Sequence, residues 1–440
     1  MAFTHLHVHS SYSLMDGIQH ADKIGEVVSA RGMNAVALTD HGYLGGIPEF
    51  VKGCEQTGVK PIIGNETYLA FGSAKEKQDV ILSPDLPNDR FGNQNKAQNN
   101  GHFLLLAKDL EGYKNLLKLT HYSYTDGFYG EPRIDIEYFL QNCSGLIATS
   151  TCLSSHVAKY WRREMKKEAL DWIFTIQEAV GKDNFFLEVQ VNNLDQQKQY
   201  NDEWIIPWSK EFNIPLVLTA DAHMANQEDY YLRGLVQCVG WGTTPTETKY
   251  KIQDTNAWMY DEQKAIELCN SWGIPLEAIT NTQHIADSID GNIFGQIKVP
   301  PVSYLEDGKW LEEKQANKIL KQKSFEGLLR NLKITNPKDI PQEYLSRFNL
   351  EMRVISEANF SNYFLIVADY IQIAKDNFIP VGPGRGSSGG SLIAWTLGIT
   401  AYRLDPIKNG LYFERFLNEG RIKYQLDFAK DLASDIRKVI

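Results

Sequence analysis

Short apolar runs alternate with amphipathic segments along the first 280 residues of the chain. The strand-like runs include FTHLHVH, NAVALTD and PIIGNETYLA, and the helical segments include ADKIGEVVSARG. The alternation continues through HFLLLAKD, GLIATST, NFFLEVQ and IPLVLTAD, with an interruption at the polar, loop-like residues 83–101. This rhythm of strand and helix predicts an α/β fold with a parallel sheet or a (β/α) barrel.

The pattern changes near residue 280. A connector containing Gly and Pro, GNIFGQIKVPPVSY, leads into a basic helical region, LEEKQANKILKQKSFEGLLRNLK. A second helical stretch and a strongly apolar helix then precede the glycine-rich PVGPGRGSSGGSLIAWTLG. We therefore predict three parts: a barrel domain over 1–280, a helical connector over 281–345 and a third part over 346–440.

The composition of the 440 residues suits two or three ordinary folded domains, with 43% hydrophobic and 23% charged residues. The formal net charge of −10 means that any contact with nucleic acid requires local basic patches. No signal peptide or membrane span is predicted, because no apolar stretch is long enough. Five cysteines without a CxxC pair fit reduced thiols, so we expect a cytoplasmic protein.

Side chains of the kinds that bind metals fall at the carboxyl ends of the predicted strands or just after them. His7 and His9 alternate along one strand and so face one side, and Asp221 and His223 repeat that spacing on another. Their donors suit Zn(II), Mn(II) or Fe(II), and a carboxylate such as Glu66 can bridge two ions. The candidate side chains at these positions are His7, His9, Asp16, Asp40, His41, Glu66, His102, Cys152, Asp221 and His223.

Each of these signals has an ordinary structural explanation when it is taken alone. An HxH or DxH pair can serve structural hydrogen bonds, and a lone cysteine such as Cys152 is usually a small buried apolar residue. The joint arrangement on successive strand ends favours a site for several metals. Closely spaced metals suit phosphoester cleavage, because they activate water and stabilise the departing oxygen. Asp40 and His41 are further candidates for proton transfer.

Several longer motifs resemble a known family. HLHVHSSYSLMDG, ALTDHGYLGG and PIIGNETY resemble the polymerase and histidinol phosphatase (PHP) domain, in the version found in bacterial replicative DNA polymerase III alpha subunits. LLAKDLEGYKNLLKL, GFYGEPRID, ATSTCLS and TADAHM extend the resemblance across nearly all of the first 280 residues. The resemblance implies a distorted (β/α) barrel and 3′ to 5′ exonuclease or phosphoesterase chemistry. It also implies up to three metal ions on nine of the candidate positions, namely His7, His9, Asp16, His41, Glu66, His102, Cys152, Asp221 and His223.

The glycine-rich segment over 382–391 has the features of a phosphate-binding loop. Its glycines let the backbone approach phosphate oxygens, Arg385 adds donors, and the following helix is expected to supply free N–H groups. A structural turn into a helix is the alternative, and no GK[ST] follows to make a Walker loop.

This loop and its surroundings resemble the palm of the same alpha subunits, a nucleotidyltransferase-type α+β domain. The resemblance rests on NYFLIVADYIQIAKDN, PVGPGRGSSGGSLIAWTLGIT, LDPI and LYFERFLN. It implies that the loop holds the incoming nucleotide, with the candidate contacts Gly384, Arg385, Gly386, Ser387 and Ser388.

The palm acids are the weak point of that resemblance. The family has a PDxDxDF stretch, because two-metal transfer needs carboxylates on alternate strand positions, whereas this chain reads RIKYQLDFAKDLASDIRK. With one inserted residue, Asp427, Ala429 and Asp431 take the acidic positions, and without it all three acids are lost. We treat Asp427 and Asp431 as candidate catalytic acids, with Mg(II) if the palm is completed, and expect an incomplete polymerase site in a fragment, a split subunit or a diverged form.

The sequence thus favours part of a replicative DNA polymerase with a PHP 3′ to 5′ exonuclease site. The expected partners are a DNA primer-template, deoxynucleoside triphosphates, a remaining polymerase segment or partner chain, and replisome proteins, without a membrane. A stand-alone PHP phosphatase for small molecules and a non-catalytic, metal-stabilised replication scaffold are the alternatives.

Overall fold

A computed structural model of the chain describes residues 2–247, 252, 255–296, 304–306 and 309–417. These residues form two compact units that divide near residue 297. No helix in these ranges is long and apolar enough to cross a membrane.

A seven-stranded mixed sheet forms the centre of the first unit. The strands lie in the order β1-β2-β3-β5-β6-β7, and β4 pairs with β2. In chain order they are β1 Ala35–Leu38, β2 Lys60–Ala70, β3 Asn100–Ala107, β4 Arg133–Ile134, β5 Leu146–Thr149, β6 Phe185–Gln190 and β7 Leu216–Thr219.

An extended segment over residues 5–9 joins the two ends of this sheet. On one side the amide of Ala37 donates to the carbonyl oxygen of His5 at 2.8 Å. On the other side, the amide of His9 donates to the carbonyl oxygen of Ala222 at 2.8 Å. The amide of Ala222 in turn donates to the carbonyl oxygen of His7 at 3.0 Å. The sheet therefore closes on itself, which confirms the expected barrel-type α/β fold.

Strand β3 runs antiparallel to both of its neighbours, β2 and β5, whereas the other strand pairs are parallel. The all-parallel alternative is therefore wrong at this strand. The physical reason is the connection from β2 to β3, a polar loop without a helix, since only parallel strands need a crossover helix. As a result, the first residues of β3 lie at the same edge of the sheet as the last residues of β2 and β5.

Eleven α-helices accompany the barrel within the described part of the first unit. They are α1 Ile24–Ala30, α2 Ile47–Thr57, α3 Leu110–Thr125, α4 Ile136–Gln141, α5 His156–Trp161, α6 Lys166–Val180, α7 Asp195–Tyr200, α8 Ile206–Phe212, α9 Tyr230–Gly240, α10 Glu262–Trp272 and α11 Glu277–Ser288. Aspartates cap the N-termini of α3, α4 and α10 by accepting backbone hydrogen bonds, as expected for residues that begin helices.

One end of the barrel is apolar and the other is polar. Ile62, Leu106, Phe186 and Val217, from four different strands, form a buried layer with Ile285 of α11. Side chains two or four positions further along a strand face the same side. This spacing directs the polar residues of β2, β3 and β6 into one cluster above the apolar layer.

The second unit is mainly helical. It contains a short hairpin of β8 Leu305–Glu306 and β9 Lys309–Trp310, followed by α12 Glu313–Leu332, α13 Gln342–Glu357, α14 Ser361–Asp376 and α15 Leu392–Thr396. Its core includes Leu320 of α12, Phe348 of α13 and Trp395 of α15.

The division of the chain lies near residue 297 rather than near the expected 280. Position 280 falls inside α11, and α11 belongs to the first unit because Ile285, Ala286 and Ile289 are buried at the apolar end of the barrel. Helix α12, which lies within the expected connector, and helix α13, which begins at its end, share the core of the second unit.

Candidate metal centre and glycine-rich loop

Glu66 of β2 lies at the centre of the polar cluster and is buried. Its Oε1 atom is 3.2 Å from Nε2 of His7 and 2.9 Å from Nδ1 of His102. Its Oε2 atom is 2.7 Å from Nδ1 of His41 and 3.5 Å from Nε2 of His9. One carboxylate therefore faces four imidazoles, which is the arrangement of a bridging ligand.

Cys152 lies just beyond β5 on the same side of the cluster. Its Sγ atom is 3.5 Å from Oε1 of Glu66 and 3.5 Å from Nδ1 of His102. His102 reaches this place because β3 runs antiparallel, which puts the start of that strand at the ligand edge.

Two aspartates complete the cluster. Oδ1 of Asp221 is 3.3 Å from Nε2 of His7 and 3.2 Å from Nε2 of His9. Oδ2 of Asp16 is 2.9 Å from Nε2 of His223 and 3.4 Å from Nε2 of His41. The structure thus brings all nine candidate ligands into one cluster.

Several nitrogen and oxygen atoms of this cluster that could bind a metal are buried and make no hydrogen bond. Four pairs of these atoms lie 2.7 to 3.5 Å apart, and they join the rings of His7, His9 and His41 to the carboxylates of Glu66 and Asp221. Buried polar atoms normally find a partner, so a converging set without partners fits a cation. Among the described residues, the atoms of this kind in the cluster are His7 Nε2, His9 Nε2, His41 Nδ1, His223 Nε2, Glu66 Oε2 and Asp221 Oδ1.

Outer hydrogen bonds fix the orientation of His7. Its Nδ1 atom is 2.9 Å from Oε1 of the buried Glu188 in β6, so a neutral His7 ring donates there and directs its Nε2 lone pair to the cluster. Thr149 and Thr219 also donate to Glu188, at 2.6 and 2.5 Å. The Glu188 carboxylate is therefore an acceptor on every side.

His9 and His223 are oriented in the same way. Ser13 donates to Asp40 at 2.7 Å, so its Oγ atom accepts the Nδ1–H of His9 at 2.9 Å. His223 places Nδ1 2.7 Å from the carbonyl oxygen of Asp221. The neutral form of each ring therefore directs its Nε2 lone pair to the cluster. Asp40 also binds Ser10, so its carboxylate is used in positioning, and the structure gives no support to a direct proton-transfer role.

Asp16 is held from outside by α9. Its Oδ1 atom accepts from the guanidinium of Arg233 at 2.7 Å and from Nε2 of Gln237 at 2.7 Å. The other oxygen of Asp16 remains directed at His41 and His223. Helix α9 thus fixes one carboxylate of the cluster without entering the cluster itself.

The electrostatics of the cluster are dominated by its carboxylates. Burial disfavours a charged His7, but Asp221, Glu188 and Glu66 raise its pKa well above the usual value. Burial likewise opposes a charged Glu66, yet His102, His7 and His41 hold its pKa well below the usual value. The buried carboxylates, whose negative charge these imidazoles stabilise, would equally attract a divalent cation.

Two ligand-bearing turns use unusual backbone conformations. Thr151, just before Cys152, has a φ of 60°, and Asp221 has a φ of 49°. Residues other than glycine seldom adopt the left-handed region, and a β-branched threonine does so at a cost. These turns direct Cys152 and Asp221 toward Glu66 and His7.

Three subsets of the cluster have donor atoms close enough together to share an ion. They are His9 with His41 and His223, His7 with His9 and Glu66, and His41 with Glu66 and His102. Imidazole and carboxylate donors of this kind suit Zn(II), Mn(II) and Fe(II).

The glycine-rich loop of the second unit is exposed over its first half. A cavity of about 480 Å³ is lined by Gly384, Arg385 and Ser388, together with Tyr363 and Tyr370 of α14. Gly386 and Ser387 line a second cavity of about 610 Å³ on the other side. Gly384 has a φ of 146° and Gly386 a φ of 69°, so both positions need glycine.

The expectation of free N–H groups at the following helix is wrong. The amides of Leu392 and Ile393 donate to the buried carboxylate of Glu351 at 2.9 and 3.0 Å, and Ser391 donates to it at 2.8 Å. Arg347 pairs with Glu351 at 2.7 Å. A side chain of α13 therefore occupies the helix start, and only the loop itself and Arg385 remain for an anion.

The two candidate palm acids, Asp427 and Asp431, lie outside the described residues. Their position relative to the glycine-rich loop stays a prediction.

Comparisons with known proteins agree with the barrel and its cluster. The profile of the PHP domain family matches residues 5–192. The profile described as bacterial DNA polymerase III alpha NTPase domain matches residues 312–440. The barrel with its edge of imidazoles and carboxylates is thus a PHP domain.

Curated relatives extend the match over nearly the whole chain. The DNA polymerase III subunit alpha of Aquifex aeolicus is 34% identical over 453 residues, which cover 98% of this chain and 36% of the relative. That of Borreliella burgdorferi is 35% identical, covering 100% of this chain and 36% of the relative. The chain thus resembles bacterial DNA polymerase III alpha subunits over nearly all of its length, and it spans about a third of the length of these relatives.

Among solved structures, a putative metal-dependent phosphoesterase from Bifidobacterium adolescentis covers 61% of this chain and 96% of its own. The identity is 13% and the TM-score is 0.32, a likeness too weak to bear on this chain.

The sequence did not reveal the residues that position the ligands and the loop. Glu188, Arg233 and Glu351 each act through a long-range contact. A charged residue inside the apolar run FFLEVQ was the one available signal for Glu188, because an unpaired buried charge is costly.

Proposed function

We propose that the barrel cluster binds divalent metal ions, Zn(II) or Mn(II) with Fe(II) as a further candidate, and hydrolyses the phosphodiester at the 3′ end of DNA. The observation that supports this is the convergence of three oriented imidazole Nε2 atoms with unpaired oxygens of Glu66 and Asp221. Bound ions would supply an activated water and stabilise the departing oxygen.

The residues of this chain would have separate roles in that reaction. The candidate ligands His7, His9, Asp221 and His223 would bind the metal ions, and Glu66 would bridge two metal positions. Glu188 and Ser13 would keep the rings in the tautomer that leaves Nε2 free. All of these residues lie in the first unit.

The test follows a primer labelled at its 5′ end and annealed to a template, with Mn(II) or Zn(II). The wild type is compared with His9→Ala and with His284→Ala, which changes an exposed histidine of α11. Metal content is measured on the same samples. Shortening from the 3′ end that needs metal and His9, but not His284, is the expected result.

Two other outcomes would favour the alternatives. Stoichiometric metal without hydrolysis of any ester would favour a metal-stabilised scaffold. Turnover of small phosphate esters with intact DNA would favour a small-molecule phosphatase.

We further propose that the second unit belongs to a polymerase palm in which the glycine-rich loop contacts a deoxynucleoside triphosphate through Gly384, Arg385, Gly386, Ser387 and Ser388. The family and the exposed Arg385 beside a cavity support this. Synthesis would require Mg(II), a primer-template and a completed acidic site, with Asp427 and Asp431 as candidates. A remaining polymerase segment or partner chain, and replisome proteins, are the proposed partners.

Primer extension in the same assay on adding deoxynucleotides would show that the palm is complete in this chain; the expected result is none. We also propose a cytoplasmic location, because the five cysteines are free and so fit a reducing compartment.

A further inference from the structure

Four aromatic rings form a row in the first unit. The centroids of Tyr12 and Tyr43 are 6.1 Å apart, those of Tyr43 and Tyr124 are 6.5 Å apart, and those of Tyr124 and Phe128 are 6.4 Å apart. Tyr43, Tyr124 and Phe128 are 42%, 46% and 49% exposed. Large rings grouped on a surface indicate a place where another molecule binds. We call these four residues the aromatic row.

The aromatic row is continuous with the candidate metal centre. Tyr12 lies on the loop between His9 and Asp16, and Tyr43 follows His41 by two residues. Tyr68 lies between the row and the cluster, with its ring centroid 6.1 Å from that of His41. A ligand on the row can therefore extend directly into the cluster.

The backbone is shaped to seat two of these rings. A Cβ atom on Gly45 would lie 2.2 Å from the Tyr43 ring, and one on Gly46 would lie 2.8 Å from the Tyr12 ring. Neither glycine has a positive φ, so the backbone conformation does not require them. The adjacent glycines are explained by the close approach of the rings.

Charge around the row is mixed and does not form a basic track. Burial raises the pKa of Tyr12 and of Tyr124, and the nearby carboxylates of Glu49 and Glu131, respectively, raise them further. At the other end, the ammonium of Lys77 donates to the carbonyl oxygen of Phe128 at 2.8 Å. Ring faces rather than positive charge therefore dominate, which fits a ligand with flat, uncharged groups.

We propose that the aromatic row stacks the unpaired nucleobases of a single-stranded nucleic-acid end whose terminal phosphodiester lies at the metal-ligand cluster. This deepens the proposed function and rests on it for the role of the cluster. Aromatic stacking of bases contributes about 1–3 kcal/mol per base and tolerates any sequence, because every base has a flat face. Bases in a duplex are already stacked, so the row selects single strands.

The test measures binding of a fluorescent single-stranded oligonucleotide to the 440-residue chain by anisotropy, in EDTA so that no hydrolysis occurs. The double variant Tyr43→Ala/Tyr124→Ala removes two rings, and Tyr43→Phe/Tyr124→Phe keeps them. Phe174→Ala is the matched control, because that ring is 41% exposed on α6 and contacts Phe212 instead. Circular dichroism establishes that all variants are folded.

The expected result is a loss of about tenfold or more in affinity for the alanine pair, with the phenylalanine pair and Phe174→Ala close to wild type. Gly45→Ala, which displaces the Tyr43 ring, should weaken binding by a smaller factor. Duplex of the same sequence should bind more weakly than the single strand.

Three outcomes would overturn the proposal. They are unchanged affinity in the alanine pair, equal affinity for duplex and single strand, or self-association of the chain that the alanine pair abolishes. Failure of the proposed function is separable, because ring-dependent binding without hydrolysis in Mn(II) would leave the stacking surface standing. Conversely, hydrolysis with ring-independent binding would reject only the surface.

Discussion

The Nδ1 atom of His7 lies 2.9 Å from Oε1 of Glu188, and both side chains are fully buried. This contact decides which nitrogen of His7 faces the cluster. Thr149, Thr219 and Gln190 also donate to Glu188. Every neighbour of this side chain is therefore a hydrogen-bond donor, and a protonated or amide side chain at this position would lack an acceptor. Any metal binding by Nε2 of His7 therefore depends on the contact between its Nδ1 atom and Glu188.

Glu188→Gln should weaken metal binding by about 10- to 100-fold. The introduced NH₂ group would meet a donor on each side, so His7 would lose either its orientation or its tautomer. Isothermal titration with Zn(II) measures the change, and Glu178→Gln on the exposed side of α6 is the matched control. Equal affinity in the Glu188 and Glu178 variants would contradict this role of Glu188.

His156 should make the first unit sensitive to acid. Burial and the nearby Lys159 lower its pKa to about 3, against 6.5 for an ordinary histidine. Because the unfolded chain binds the proton more readily, this stabilisation is complete above about pH 6.5 and is lost as the pH falls toward 3.

Urea unfolding at several pH values, in EDTA, would measure this effect. His156→Phe keeps a ring beside Phe71, 4.0 Å away in the wild type, but cannot titrate. Its free energy of unfolding should therefore fall less steeply between pH 6.5 and pH 4 than that of the wild type. Parallel curves for the two proteins would show that His156 does not cause the loss.

Glu351→Gln should destabilise the second unit by about 1–3 kcal/mol. The amides of Leu392 and Ile393 and the guanidinium of Arg347 would lose a charged, buried acceptor. Hydrogen exchange of the 391–394 amides should accelerate together with the loss in urea unfolding. Glu343→Gln, at an exposed position on the same helix, is the control and should leave both measurements unchanged.

Arg385→Ala should lower the affinity of the chain for a Mg(II)-bound deoxynucleoside triphosphate by about tenfold or more, since charge-assisted hydrogen bonds contribute about 1.5–3 kcal/mol. Glu351 already occupies the neighbouring helix start, which increases the dependence on Arg385. Titration calorimetry compares this variant with Arg403→Ala, an exposed arginine of the same unit. A loss shared by both variants would indicate nonspecific attraction by positive charge.

The sequence was informative about the ligands because their types and spacing are local properties. His7 and His9 alternate on one extended segment, and period-two alternation sends both rings the same way in any sheet. The polarity of β3 was not local, since strand direction depends on which neighbour a segment pairs with. His102 joins Glu66 only because β3 turned out to be antiparallel.

By itself, the sequence determined the barrel-type fold, the resemblance to polymerase III alpha subunits and the chemical types of the candidate ligands. Tertiary structure alone decided the tautomer of His7 set by Glu188, the occupation of a helix start by Glu351, and the meeting of Tyr43 with Tyr124. The physical reason is sequence separation. Hydrophobic periodicity and motif spacing act over a few residues, whereas these contacts join side chains 40 to 181 positions apart or on separate elements, and only packing brings them together.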